Sequence, residues 1–151
     1  MSFDVDMQDT VSHYNILLGI RHNTSYKYQN LWLFVNSYSP DSIPLRDTVE
    51  CYLSNNKGEW LGKGIGDNLS MQVLYLQKIR FPKYGNYHFE ISHAMRDETL
   101  VGIENIGLEI LRKVESISAF AAFNAVYNEY GGFFPIYAYG NTNFENYISY
   151  L

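Results

Sequence analysis

Tyr14-Asn15-Ile16-Leu17-Leu18-Gly19-Ile20-Arg21 decides how the rest of this chain is read. Extended, it sets Tyr14, Ile16, Leu18 and Ile20 on one side and Asn15, Leu17, Gly19 and Arg21 on the other. A period of two is the mark of a strand, because successive side chains leave a pleated backbone on opposite faces. Asn30-Leu31-Trp32-Leu33-Phe34-Val35-Asn36 is apolar on both faces, as a central sandwich strand would be. After the Pro40-Asp41-Ser42 turn comes a strand over residues 47–53. Asn55-Asn56-Lys57-Gly58 is a turn of residues that tolerate positive φ. Trp60 to Gly66 follows, with Gly62, Gly64 and Gly66 on one face.

Farther on, Met71, Val73, Tyr75, Ile79 and Phe81 share a face opposite Gln72, Lys78 and Arg80. Tyr87, Phe89 and Ile91 oppose His88, Glu90 and Ser92, and a last strand runs from Ile103 to Leu111. Seven or eight short strands separated by turn signals predict an all-β fold over residues 1–115, an antiparallel β-sandwich of Ig-like or jelly-roll-like type. Gly85-Asn86-Tyr87 is similar to the tyrosine corner of such sandwiches, whose hydroxyl bonds nearby backbone.

Residues 116–151 differ in kind. No Lys or Arg follows Lys113. Phe120, Phe123, Tyr127 and Tyr130 fall at helical spacing behind Ser118, a good N-cap, and Gly131-Gly132 would end the helix. Phe133–Tyr139 and Phe144–Leu151 would pair as a hairpin across residues 140–143. This aromatic-rich C-terminal element of helix and hairpin is expected to be ordered. It would pack on its own sandwich or on a second copy, making a homodimer.

The chain has 151 residues, a net charge of −5, a pI near 5.3, and 14 Tyr, 9 Phe and 2 Trp. Its scattered basic residues argue against nucleic acid, whose affinity rests on clustered Lys and Arg. No apolar run reaches the ~18 residues of a membrane helix. No signal peptide is visible, and Met1-Ser2 leading straight into the strand-like residues 3–7 reads as the cut end of a longer chain. The lone Cys51 alternates with Val49 and Leu53, so it reads as a small buried hydrophobe without partner or base.

The four histidines show no metal spacing. His88, Glu90 and Ser92 share one strand face, which is a solvated polar stripe rather than a triad, since triads draw members from separate elements. Asp4, Asp6 and Asp9 read as a charged edge strand, not a calcium loop. The evenly spaced Gly62, Gly64 and Gly66 make a bare strand face that admits a close neighbour, not a phosphate loop. No catalytic residue, metal or cofactor is expected.

Several blocks together resemble the gliding motility-associated lipoprotein H family of the Bacteroidota, over about residues 3–113. They are Tyr14 to Asn23; Tyr26-x-Tyr28-x-Asn30-Leu31-Trp32-Leu33-Phe34; Asp47-Thr48-Val49-Glu50; Gly58 to Asp67; Phe81-Pro82-x-x-Gly85-x-Tyr87; and Ala94-Met95-Arg96. The resemblance implies a non-catalytic lipoprotein of the cell envelope, tethered to the outer membrane by an acylated N-terminal Cys. That signal and its Cys are missing here, and Cys51 cannot replace them. It further implies protein partners in the gliding and type IX secretion machinery. The alternative is a carbohydrate-binding sandwich, with Trp60, Trp32, Tyr137 and Tyr139 stacking on sugar rings. Trp60, Arg21, Arg96, Tyr137 and Tyr139 are the candidate contact residues. For Arg21 and Arg96 a structural pairing with a carboxylate or with backbone carbonyls is also expected.

Overall fold

The computed structural model describes residues 1–113 and the strand Tyr147–Tyr150. The strands are β1 (Ser2–Met7), β2 (His13–Asn23), β3 (Asn30–Tyr38), β4 (Pro44–Tyr52), β5 (Lys63–Ile65), β6 (Asn68–Ile79), β7 (Gly85–His93), β8 (Ile103–Lys113) and β9 (Tyr147–Tyr150). They form two antiparallel sheets. Sheet I has the order β1-β7-β3-β4 and sheet II the order β5-β6-β2-β8-β9. The described residues contain no helix, so the antiparallel sandwich read from the sequence is the fold.

The core lies between the sheets. Val5, Leu31, Leu33, Val35, Phe89 and Ile91 of sheet I meet Ile16, Leu18, Ile20, Leu108 and Ile110 of sheet II. Each comes from an alternating stretch, so one face of each strand supplies the interior. Cys51 is fully buried among them. β2 is buried on both faces, and Leu17 on its outer face is as inaccessible as Leu18. Gly19 stands opposite both Gly107 and Gln72. With no side chain in between, Gln72 reaches diagonally and donates its amide to Glu109 Oε2.

Three local details differ from the sequence reading. β4 begins at Pro44, not at Asp47. The strand expected from Trp60 to Gly66 is only Lys63–Ile65, with one isolated bridge between Ser54 and Trp60. Close approach explains its bare face: a Cβ at Gly64 would sit 1.7 Å from Asn68 O, and one at Gly62 3.4 Å from His22 Nε2. The close neighbour is therefore backbone, joined at Gly62 by His22 and Leu69. In β6 the register against β2 slips twice near Tyr14 and Ile16, and Lys78 takes φ +53°. Asn15 Oδ1 accepts the Lys78 N–H at 2.9 Å, which holds that irregular turn to the sheet.

The tyrosine corner is present. Tyr87 OH accepts from Lys83 N and donates to Lys83 O, both at 3.1 Å, while its ring packs edge-on against Phe81 at 4.9 Å. β1 is an edge strand with Asp4 and Asp6 exposed, as the acidic pattern suggested. In the C-terminal extension, β9 runs antiparallel to β8, with Ile148 opposite Ile110. The helix expected behind Ser118 and the strand expected over 133–139 lie outside the described residues.

Candidate interaction face

The outer face of sheet I combines aromatic rings with charges. It is built by the even-numbered residues of β3, β4, β7 and β1, because the odd positions in these strands point into the core. Across β3 and β4 the register sets Asn30 opposite Tyr52, Trp32 opposite Glu50, Phe34 opposite Thr48 and Asn36 opposite Arg46. On the other flank Asn36 meets Glu90 and Tyr38 meets His88, and Asp4 of β1 then lies opposite His88.

Side-chain bonds hold this face in place. The Arg46 guanidinium lies 4.2 Å from the centre of the Phe34 ring, an attraction of about 0.5–1 kcal/mol at an exposed site. Asn30 Nδ2 donates to Glu50 Oε1 at 2.6 Å and Tyr52 OH donates to Glu50 Oε2 at 3.0 Å. The Glu50 carboxylate therefore holds the Tyr52 hydroxyl above its ordinary pKa. Tyr38 OH donates to Glu90 Oε2 at 3.2 Å and is raised for the same reason. Trp32 is 37% exposed, and its backbone N–H points at Met95 Sδ, 3.3 Å away. Tyr52 is 60% exposed. The result is a rigid, solvent-facing sheet of rings and hydrogen-bonded charges, suited to contact with another macromolecule.

The residues singled out from the sequence do not converge. Trp60 is half-buried, its ring 4.8 Å from that of His22 and packed against the core. Trp32 lies on the outer face of sheet I, so the two indoles do not form one platform. Arg21 is exposed on the outer face of sheet II, between Ser70 and Asn105. Arg96 is exposed in the connection from β7 to β8. Neither arginine has a carboxylate or backbone partner among the described residues. Tyr137 and Tyr139 lie outside the described residues.

His88 and Glu90 join Asp4 and Tyr38 in the polar network of sheet I, with His88 Nδ1 2.9 Å from Asp4 Oδ1. No group of three or more His, Cys, Asp or Glu among the described residues is placed to hold a metal. No described helix is long and apolar enough to cross a membrane.

Sequence reasoning missed Phe34, Tyr38, Arg46, Glu50 and Tyr52 as members of one surface. Only the β3–β4 register brings them together. The available signal was the pair of aromatics at Trp32 and Phe34, two residues apart in a strand whose other face is Leu31, Leu33 and Val35.

Residues 1–110 match the family of GldH lipoproteins. The chain is 32% identical over 117 residues to the gliding motility lipoprotein GldH homolog of Christiangramia forsetii, covering 73% of this chain and 72% of that protein. It is 29% identical over 120 residues to the gliding motility lipoprotein GldH of Flavobacterium johnsoniae, covering 75% and 74%. No solved structure matches the chain.

Proposed function

The chain belongs to the GldH lipoprotein family, and on that premise we propose that it is a non-catalytic envelope lipoprotein domain serving gliding motility and its associated type IX secretion by holding protein partners. Its location in this reading is the outer membrane, reached through an acylated N-terminus. The observation that carries the reading is the outer face of sheet I, where Trp32, Phe34, Arg46 and Tyr52 are presented on a sheet rather than on a mobile loop. A preorganised aromatic surface loses little side-chain freedom on binding. The carbohydrate alternative called for a planar row of exposed rings, and a Trp60 half-buried against His22 favours it less.

A photo-reactive amino acid at position 32 tests the proposal in cells of a gliding relative whose own family member is replaced by this chain. The expected result is cross-linking to a discrete envelope protein from position 32 and none from position 84, an exposed site in the β6–β7 turn. The paired change Trp32→Ala and Phe34→Ala should abolish colony spreading while the protein stays folded and abundant. Normal spreading with that variant would remove the face from the function.

A further inference from the structure

Sheet I ends at β4, whose first five residues are all exposed. Leu53 donates its N–H to Gln29 O at 2.8 Å. In an antiparallel ladder such bonded positions recur every second residue. The ladder to β3 therefore continues at Cys51, Val49, Asp47 and Leu45, opposite Leu31, Leu33, Val35 and Ser37. The far side of β3 agrees, since Trp32 O accepts from Ala94 N at 2.7 Å. The N–H and C=O groups of Arg46, Thr48, Glu50 and Tyr52 thus point away from the sheet, and no strand among the described residues takes them.

A long unpaired edge is a template for another strand unless it is shortened, bulged or lined with lysine and proline. β5 is only three residues long and β1 six, against nine for β4. After Pro44, β4 has no lysine, no proline and no slip in its register.

The order of side chains along β4 names its occupant. An added antiparallel strand must match outward-pointing residues with outward-pointing residues, which limits the registers. With a second copy turned about an axis at Thr48, Thr48 meets Thr48, and Arg46 meets Glu50 of the second copy, twice over. Tyr52 then meets Pro44, and Leu45, 65% exposed, stands opposite the buried Cys51. An axis at Arg46 or Glu50 opposes like charges. One at Asp47 opposes two aspartates, and one at Val49 sets Arg46 against Tyr52. Only the Thr48 register pairs opposite charges directly. Arg46 has no carboxylate partner among the described residues and is steadied by Phe34, while Asn30 and Tyr52 fix Glu50.

We propose that β4 pairs antiparallel with β4 of a second copy about a two-fold axis at Thr48, fusing two four-stranded sheets into one of eight. The pairing rests on the edge alone and is independent of any role in gliding.

Sedimentation velocity of the whole chain over a concentration series tests it. The wild type should dimerise. Arg46→Glu and Glu50→Arg should each weaken the dimer by roughly tenfold or more, since each opposes like charges at two places. The double variant Arg46→Glu/Glu50→Arg should recover wild-type association, because the facing pairs are again opposite. Thermal unfolding of each variant confirms that the monomer is intact.

Thr48→Cys should form a covalent dimer on mild oxidation, since facing residues of a bonded pair lie about 5.5 Å apart. Arg46→Cys should not, its counterpart being roughly 13 Å away along the strand. A chain that stays monomeric at every attainable concentration would overturn the proposal. So would a dimer indifferent to both charge reversals, which would place the contact elsewhere, for example in the aromatic residues 116–151.

Discussion

His88 Nδ1 lies 2.9 Å from Asp4 Oδ1, directly across the ladder that joins β7 to β1. Asn86 Nδ2 donates to the same oxygen at 3.0 Å. The hydrogen bond from Asn86, and after it the one from His88, hold the Asp4 carboxyl below its ordinary 3.8. The bond to Asp4 in turn lifts His88 above its ordinary 6.5, with Glu90 adding a smaller push.

Both shifts favour the folded edge strand. The share from His88 is complete below pH 6.5 and fades as pH rises through its folded midpoint. The share from Asp4 is present above 3.8 and fades as pH falls through its folded midpoint. The two act together between those values. An NMR titration should place the His88 midpoint above 6.5, and Asp4→Asn should bring it down. A midpoint insensitive to Asp4→Asn would show that the pair does not couple.

Tyr87→Phe removes a hydroxyl that both accepts from and donates to Lys83 backbone. The ring stays packed on Phe81, so the loss is confined to the two bonds. Denaturant unfolding should show a destabilisation of about 1–2 kcal/mol at unchanged m-value.

Gly102 and Gly66 both adopt positive φ, at +94° and +63°, but in different surroundings. A Cβ at Gly102 would lie 2.4 Å from Tyr26 N, beside the bond from Asn23 N to Gly102 O, whereas nothing lies within 4 Å of a Cβ at Gly66. Gly66→Ala should therefore cost about 1 kcal/mol from backbone strain alone. Gly102→Ala should cost roughly 3 kcal/mol or more, because the Tyr26 backbone must also move. Equal melting temperatures for the two variants would contradict this account.

Burial pushes the Cys51 thiol up to about 11, with the nearby Glu50 charge a smaller cause. A thiol this far from ionised and sealed in the core should not react with an aromatic disulfide reagent at neutral pH. Reaction should begin only at the denaturant concentration where the sheet unfolds. Rapid labelling of the native chain would mean that β4 opens locally.

The strands legible in the sequence were those that bury at least one whole face. β2 and β7 announce themselves because Ile16 and Phe89 sit in alternating stretches, and β3 because Leu33 sits in a short continuous apolar run. The start of β4 did not, since Pro44, Leu45 and Arg46 are all exposed and alternation records burial. The glycines after Trp60 carried a period but no side chains: Gly64 marked a close approach to Asn68 and Gly66 a positive φ, not the length of a strand.

The interaction face was illegible for a further reason. Its members are separated in sequence and meet only through a register, which composition does not encode. Trp32 and Phe34 could not be assigned to either face because their strand looked apolar on both sides. Trp60 could be placed neither inside nor outside, because its contact with His22 depends on how the β4–β5 connection folds back.

The pairing of β1 with β7 has a consequence in time. Ser2 meets Glu90 and Met7 meets Gly85, so β1 cannot pair until a strand far along the chain has formed. Ladders this distant in sequence close slowly, because the entropy of the intervening loop is lost before any bond forms. During that interval β7 presents a bare edge to every other chain nearby. Its outward side chains at Asn86, His88 and Glu90 are all polar, which keeps the waiting strand from being a sticky one.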